Sequence, residues 1–562
     1  MSPEKPQWQL AGLAKRDAVN ALIPDAWRIP KAKIPDAAQL RDAIAFPRSF
    51  LTAREIEITE AADAQALLTK LATGEYTALE VAEAFCHRAA IAHQTVNCLS
   101  EIMFSRALER AKELDAYFEA HKKPIGPLHG LPISLKDQFR VRDTHTSVGF
   151  VAWLDKLETP ESEAYLVKAL REAGAVLYVK TNVPTSLMAI ETNNNIMGYT
   201  WNPRNRLLSS GGSSGGEAAL IAMNGSIVGL GTDIGASVRL PAAVCGIYGL
   251  RPSHGRLPYL GVRQSMEGQE TVSSVIGPMA HALPDLGLMM ESLLAMRPWM
   301  HDPKVVELPW RPSLFEAAVV QGSENKGGLV FGMLKFDGVV MPHPPVLRAM
   351  EEVKEKLKAA GHEVIEWIPP PHSEAFGIIW DVFSADGGAD IHATLALASE
   401  VPIPQLATVY GVTAGATGMA PFDVERLWAL NERKYAYQTA YAAYWNESGS
   451  KTKSGRPVDA VLLPAAPTAS FRPGEGIYPG YTSVANVLDY TSVVVPVTVV
   501  DKTRDLKNDE YKPVSDMDGL IASHYDPDTF DGTPIAVQIM GRRLQEEHVL
   551  GVAEVVDKVL RS

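Results

Sequence analysis

The sequence predicts an α/β fold: one large domain around a wide, largely parallel sheet covered by helices on both faces. Two observations carry this. Short apolar runs, GAVLYVKTNVP (174–184), GLVFGML (328–334), DAVLLPAAP (459–467), TSVVVPVTVV (491–500) and TPIAVQIMG (533–541), read as strands and are separated by long helical stretches. No Pro- or Ser-rich boundary and no internal repeat divides the 562 residues into separable units.

Taken in order, residues 1–60 are rich in proline and charge and read as a partly helical N-terminal arm, with the main domain over 61–562. LTKLATG (68–74) and TALEVAEAFCHRAAIAH (77–93) read as helices, the second opened by a capping box between Thr77 and Glu80. PLHGLPISLKD (127–137) reads as a turn into a short strand, and SEAYLVKALREA (162–173) as the helix before the strand at 174–184. The polar, turn-rich stretch 503–532 is expected to be a long surface loop ahead of the last strand.

Composition narrows the function classes. Hydrophobic residues at 46% and charged residues at 21% are those of a well-buried globular chain. A net charge of −13 gives no basic footprint, so no nucleic-acid partner is expected. Cys86, Cys98 and Cys245 are too scattered for a disulfide framework or a zinc site, which points to a reducing, cytoplasmic location. No secretory signal and no membrane-spanning run is visible.

SSGGSSGG (209–216) raises the main question. Its composition is that of a flexible linker, yet it runs straight into EAALIAMNGSIVGLGTD, a stretch suited to a buried helix and strand. A phosphate loop is a second reading, but no lysine follows the glycines as GxxxxGK[ST] requires. A third is a GxSxG nucleophile elbow centred on Ser214, an esterase whose histidine would come from His392, His524 or His548.

A fourth reading rests on linked motifs. GGSSGG (211–216), GTDIGASVRLP (231–241) and GLPISLKD (130–137) occur with KTNVP (180–184), NPRN (202–205), CGIYGLRPS (245–253), GPMAHALPDL (277–286) and PIAVQIMG (534–541). In this set the chain resembles the amidase signature family from about residue 60 to the C-terminus, and is nearest in flavour to the fungal acetamidase-like branch. The resemblance implies a wide, mixed, largely parallel sheet. It also implies a Ser-Ser-Lys triad of Ser237, Ser213 and Lys136, with a cis peptide before Ser213 and an oxyanion hole over Ile234, Gly235, Ala236 and Ser237. Ser214, Asp233 and Arg239 match polar family positions around that core. The implied reaction is hydrolysis of an amide or carbamate by water through a Ser237 acyl-enzyme, releasing acid and ammonia or an amine. No metal or cofactor is implied, and the implied assembly is a homodimer. A catalytically weak scaffold that keeps the fold is the alternative from another class.

The residue chemistry fits this set. A serine hydroxyl needs a base, and a lysine serves only when neutral, which burial achieves by lowering its pKa from about 10.4. A second serine relaying the proton meets the demand of an amide leaving group, whose nitrogen must be protonated as it departs. The family usually has two glycines before the nucleophile, whereas this chain has Gly235-Ala236, which predicts either a reshaped pocket or, at a positive φ, a strained backbone. Trp380, Phe383 and Tyr199 are aromatic candidates for pocket walls.

Overall fold

In the computed structural model, which describes residues 5–323, 327–413 and 419–562, thirteen strands are found. They are β1 (Leu99–Ile102), β2 (Pro132–Lys136), β3 (Val176–Thr181), β4 (Trp201–Asn202), β5 (Asn205–Ser209), β6 (Val228–Asp233), β7 (Tyr248–Arg251), β8 (Val275–Ala280), β9 (Val330–Met333), β10 (Glu363–Glu366), β11 (Ala460–Pro464), β12 (Ser492–Val499) and β13 (Pro534–Met540). Eleven of them form one sheet in the order β1-β3-β2-β6-β8-β7-β12-β13-β11-β9-β10, and β4 pairs with β5 as a separate hairpin.

The sheet is mixed, but not largely parallel. Four of its ladders are parallel, β3-β2-β6 on one side and β11-β9-β10 on the other. The six others are antiparallel. The central reversal comes from β7 and β8, whose YGLR and VIGPMA lack the uninterrupted β-branched runs from which a strand is read.

Apolar residues alternate between faces with the strand period. Ile133 and Leu135 of β2, Val493 and Val495 of β12 and Val537 and Ile539 of β13 join one large core, whereas Val494 and Ala536 join a core on the other face. Ser134 and Lys136 therefore point away from the larger core. The helix Gly215–Ala222 lies on that second face, and glycine lets it approach. A Cβ on Gly229 of β6 would lie 2.4 Å from Ser134 Oγ and overlap the Glu217 carboxylate.

Local signals behave as their chemistry demands, with two corrections. Thr77 accepts from Glu80 N at 3.1 Å, but the Glu80 carboxylate pairs with Arg54 at 2.8 Å rather than closing a box. A complete capping box stands instead at Thr52 and Glu55, opening the helix Ala53–Thr59. The 503–532 stretch contains the helices Asp516–Ser523 and Pro527–Phe530, and is anchored rather than loose. Ile521, Tyr525 and Phe530 are buried, and Asp518 accepts from Met341 N at 2.9 Å. No helix among the described residues is long and apolar enough to cross a membrane.

Gly216 shows how closely the serine-glycine turn is held. A Cβ there would lie 2.4 Å from Asn182 N, 2.5 Å from Asn182 O and 2.6 Å from Cys98 O, all backbone atoms that cannot swing aside. Gly216→Ala is therefore expected to destabilise the protein by about 3 kcal/mol, the upper range for overpacking a closed core. A thermal unfolding midpoint equal to that of the parent would contradict this packing.

Candidate active site

Lys136 ends β2 with no exposed surface. Its Nζ lies 2.7 Å from Ser213 Oγ, 2.8 Å from Thr232 Oγ1 and 3.4 Å from Thr232 O. Burial lowers the amine pKa to about 7, although the negative charges of Asp233, Glu217 and Asp137 pull the other way. Near neutrality the amine therefore has a lone pair to offer. Glu217, which accepts from Ser134 Oγ and, at 2.7 Å, from Thr181 Oγ1, is pushed up to about 7 by the same burial.

Ser213 sits on the turn between β5 and the helix Gly215–Ala222, after a cis Gly212–Ser213 peptide and Gly211 at φ 75°. It is 1% exposed. The turn is sealed by protein on all sides. Ser214 N donates to Ser237 O at 3.1 Å, Gly215 N to Thr192 Oγ1 at 3.1 Å and Gly216 N to Asn182 O at 3.2 Å. A linker is excluded by this burial. The N–H groups of Ser214, Gly215 and Gly216 are spent on protein acceptors, so they form no phosphate cradle.

Ser237 lies between β6 and the helix Arg239–Cys245 and is 7% exposed, more open than Ser213 or Ser214. Its segment is fixed by a buried ion pair. Arg239 Nε and Nη2 reach Asp233 Oδ2 and Oδ1 at 3.0 and 2.9 Å, and Asp233 Oδ2 also accepts from Val238 N at 3.1 Å. Arg239 further donates to Thr482 O at 2.7 Å, Gln538 Oε1 at 2.6 Å and Asn486 Oδ1 at 2.5 Å. Burial opposes the Asp233 charge, but the Arg239 guanidinium outweighs it and holds the carboxyl far below its usual range.

Between them, residues 234–237 form a bend outside any helix or strand. Among the described residues, no N–H of Ile234, Gly235, Ala236 or Ser237 donates to a protein acceptor. Four adjacent free donors beside a serine are what an oxyanion requires. Phe383 leans over this bend, its Cζ 3.2 Å from where a Gly235 Cβ would be. Of the other aromatic candidates, Tyr199 OH donates to Glu191 at 2.7 Å and Trp380 is 42% exposed at the surface.

Ala236 is not among the residues at positive φ, so its methyl brings no backbone strain. The residue is 2% exposed and belongs to the core cluster of Val238, Leu240 and Met279. The methyl therefore belongs to that buried apolar cluster.

The Ser214 elbow finds no support. Ser214 is fully buried and its hydroxyl meets Thr232 N and Thr232 O, both at 3.4 Å. His392 and His548 are bound to the carbonyls of Tyr410 and Asp459 instead, and no bond joins His524 to Ser214. Sequence reasoning missed Thr232 and Gln138, which contact the lysine directly and at one remove, and Asn486 and Gln538, which hold Arg239. Thr232 and Gln138 had a signal, since each stands within two residues of a motif position, in GTD and LKDQ. Gln538 also stood inside a motif, PIAVQIMG, whereas Asn486 comes from a segment outside every motif and had no signal.

The family profile described as Amidase matches residues 80–550 of the chain. The acetamidase of Emericella nidulans is 46% identical over 555 residues, covering 98% of each chain, and the acetamidase of Aspergillus oryzae is also 46% identical over 98% of this chain and 99% of its own. Among solved structures, a fatty acid amide hydrolase superposes with a TM-score of 0.90 at 32% identity, covering 99% of this chain and 95% of the other. The chain belongs to the amidase family and has the amidase-signature fold, and it is a hydrolase of carboxylic amide bonds.

The Asp233–Arg239 pair generates a stability prediction. Both side chains are wholly buried, so Arg239→Met leaves an uncompensated carboxylate and is expected to cost about 3–5 kcal/mol. Adding Asp233→Asn should recover part of that loss in denaturant unfolding. Equal losses for the single and double variants would show that the charge pair is not what fixes the segment.

Proposed function

We propose that the chain hydrolyses small aliphatic amides and carbamates to an acid plus ammonia or an amine, with Ser237 as nucleophile, Ser213 as relay and Lys136 as base. The observation that carries this reading is the contact of Lys136 Nζ with Ser213 Oγ at 2.7 Å, made by an amine whose pKa is lowered to about 7. In acylation, Ser237 attacks the carbonyl as its proton passes to Ser213 and the Ser213 proton passes to Lys136. The carbonyl oxygen becomes an oxyanion facing the N–H groups of 234–237, each such donor being worth about 3 kcal/mol. Collapse returns the proton from Lys136 through Ser213 to the departing nitrogen. Water then repeats the sequence on the acyl-enzyme and releases the acid.

The preference for small acyl groups is supported by the slight exposure of Ser237 and by Phe383 close over Gly235. It is also supported by the acetamidase relatives. A cytoplasmic location rests on the three cysteines, all free and buried. The homodimer rests on family resemblance.

Turnover of a graded amide series tests this reading together with Lys136→Ala. Short acyl amides are expected to be preferred, and Lys136→Ala to lose roughly 10⁴-fold in kcat, as for removal of a triad member. Activity of Lys136→Ala within a few-fold of the parent would remove the lysine from the mechanism. A rate that rises steadily with acyl length would overturn the substrate class.

A further inference from the structure

A neutral lysine amine has two N–H protons and one lone pair. For Lys136 to serve as a base toward Ser213, both protons must go elsewhere. Its remaining partners are Thr232 O, which can only accept, and Thr232 Oγ1, which can donate or accept. If Thr232 donated to the lysine, it would occupy the lone pair that Ser213 needs. The direction of one hydroxyl therefore decides whether the base is available.

That direction is set two residues beyond the lysine. Gln138 is fully buried, and its Oε1 lies 2.5 Å from Thr232 Oγ1. Its Nε2 lies 3.1 Å from Arg263 O and 2.9 Å from Tyr259 OH. Because Arg263 O is an obligate acceptor, the amide must present nitrogen to it, which leaves oxygen facing Thr232. Thr232 then donates to Gln138 and accepts from Lys136. Tyr259 OH, having accepted from Gln138, donates onward to Ser274 Oγ at 3.1 Å. Every bond in the chain from Arg263 O to Lys136 has one permitted direction.

We propose that Gln138 is a positioning residue that fixes the polarity of the hydrogen bonds at Lys136, so that the amine gives its protons to Thr232 and keeps its lone pair for Ser213. The inference rests on Lys136 being the base. Ser213, donating to that lone pair, has its own oxygen lone pairs left to take the proton of Ser237. Once the amine has taken a proton, its new N–H points back at Ser213 Oγ, so the same geometry returns the proton toward the leaving nitrogen. Gln138 touches neither substrate nor reacting atoms and acts only through Thr232.

A double-mutant cycle tests this. Gln138→Leu frees the Thr232 hydroxyl to turn toward the amine, and kcat for a short amide is expected to fall about 30-fold with little change in KM, a coupling within the range for one shared network. In a Thr232→Val background there is no hydroxyl to misdirect, and Gln138→Leu should then cost less than about 3-fold. Equal penalties in both backgrounds would mean that Gln138 merely packs, and would overturn the proposal. Gln138→Glu keeps the acceptor for Thr232 and serves if the leucine variant does not fold. Its kcat on the alkaline plateau should stay within about 5-fold of the parent, because a buried carboxyl kept protonated donates to Arg263 O and leaves its other oxygen for Thr232. A large loss of plateau kcat in that variant would contradict the polarity role. Lys136→Ala is measured alongside: if it stays active the base reading fails, whereas an inactive Lys136→Ala with an additive cycle overturns only the role of Gln138.

Discussion

An amine with no exposed surface cannot easily remain an ammonium, and the arrangement around Lys136 follows from that constraint. Solvation is denied by the sheet beneath it and by the helix Gly215–Ala222 above it. Three carboxylates nearby, Asp233, Glu217 and Asp137, pull in the opposite direction, yet each is engaged elsewhere. Asp233 is neutralised by Arg239, Glu217 accepts from the hydroxyls of Ser134 and Thr181, and Asp137 accepts from Ser100 Oγ at 2.8 Å and Val148 N at 2.7 Å. The balance leaves the lysine poised near neutrality, where a base is most effective.

The same closeness explains the glycines. A lysine can be buried between a sheet and a helix only if the two layers nearly touch, and Gly216 and Gly229 remove the side chains that would hold them apart. The turn that looked like a linker is among the most tightly enclosed parts of the chain. Its serines are separated by environment. Ser214 is locked against the backbone of Thr232, Ser213 faces the amine, and Ser237 alone of the three keeps an opening toward solvent.

Much of this was legible in the sequence. The strands at 176–181, 330–333, 460–464, 492–499 and 534–540 are predominantly apolar or β-branched runs, and Lys136, Ser213 and Ser237 stand in motifs long enough to be linked to one another. What was not legible depends on pairing. β7 and β8 carry glycine and proline where a strand signal needs branched residues, so these two antiparallel strands were invisible, and the antiparallel pairing of β11, β12 and β13 is not a property of any one strand's sequence. The helices within 503–532 were hidden by polar composition, although Ile521, Tyr525 and Phe530 anchor them. Ala236 could be judged only from its φ and burial, and the role of Gln138 only from which atoms surround its amide.

The pH dependence of kcat/KM for a short amide tests the central claim most directly. The folded-state pKa of Lys136 lies below that of a solvated lysine, at about 7, so the amine is protonated and inactive below this value and neutral above it. The rate is expected to fall about tenfold per pH unit on the acid side of a midpoint near 7 and to level off on the alkaline side. A profile that peaks in acid and declines above neutrality would contradict a buried lysine base.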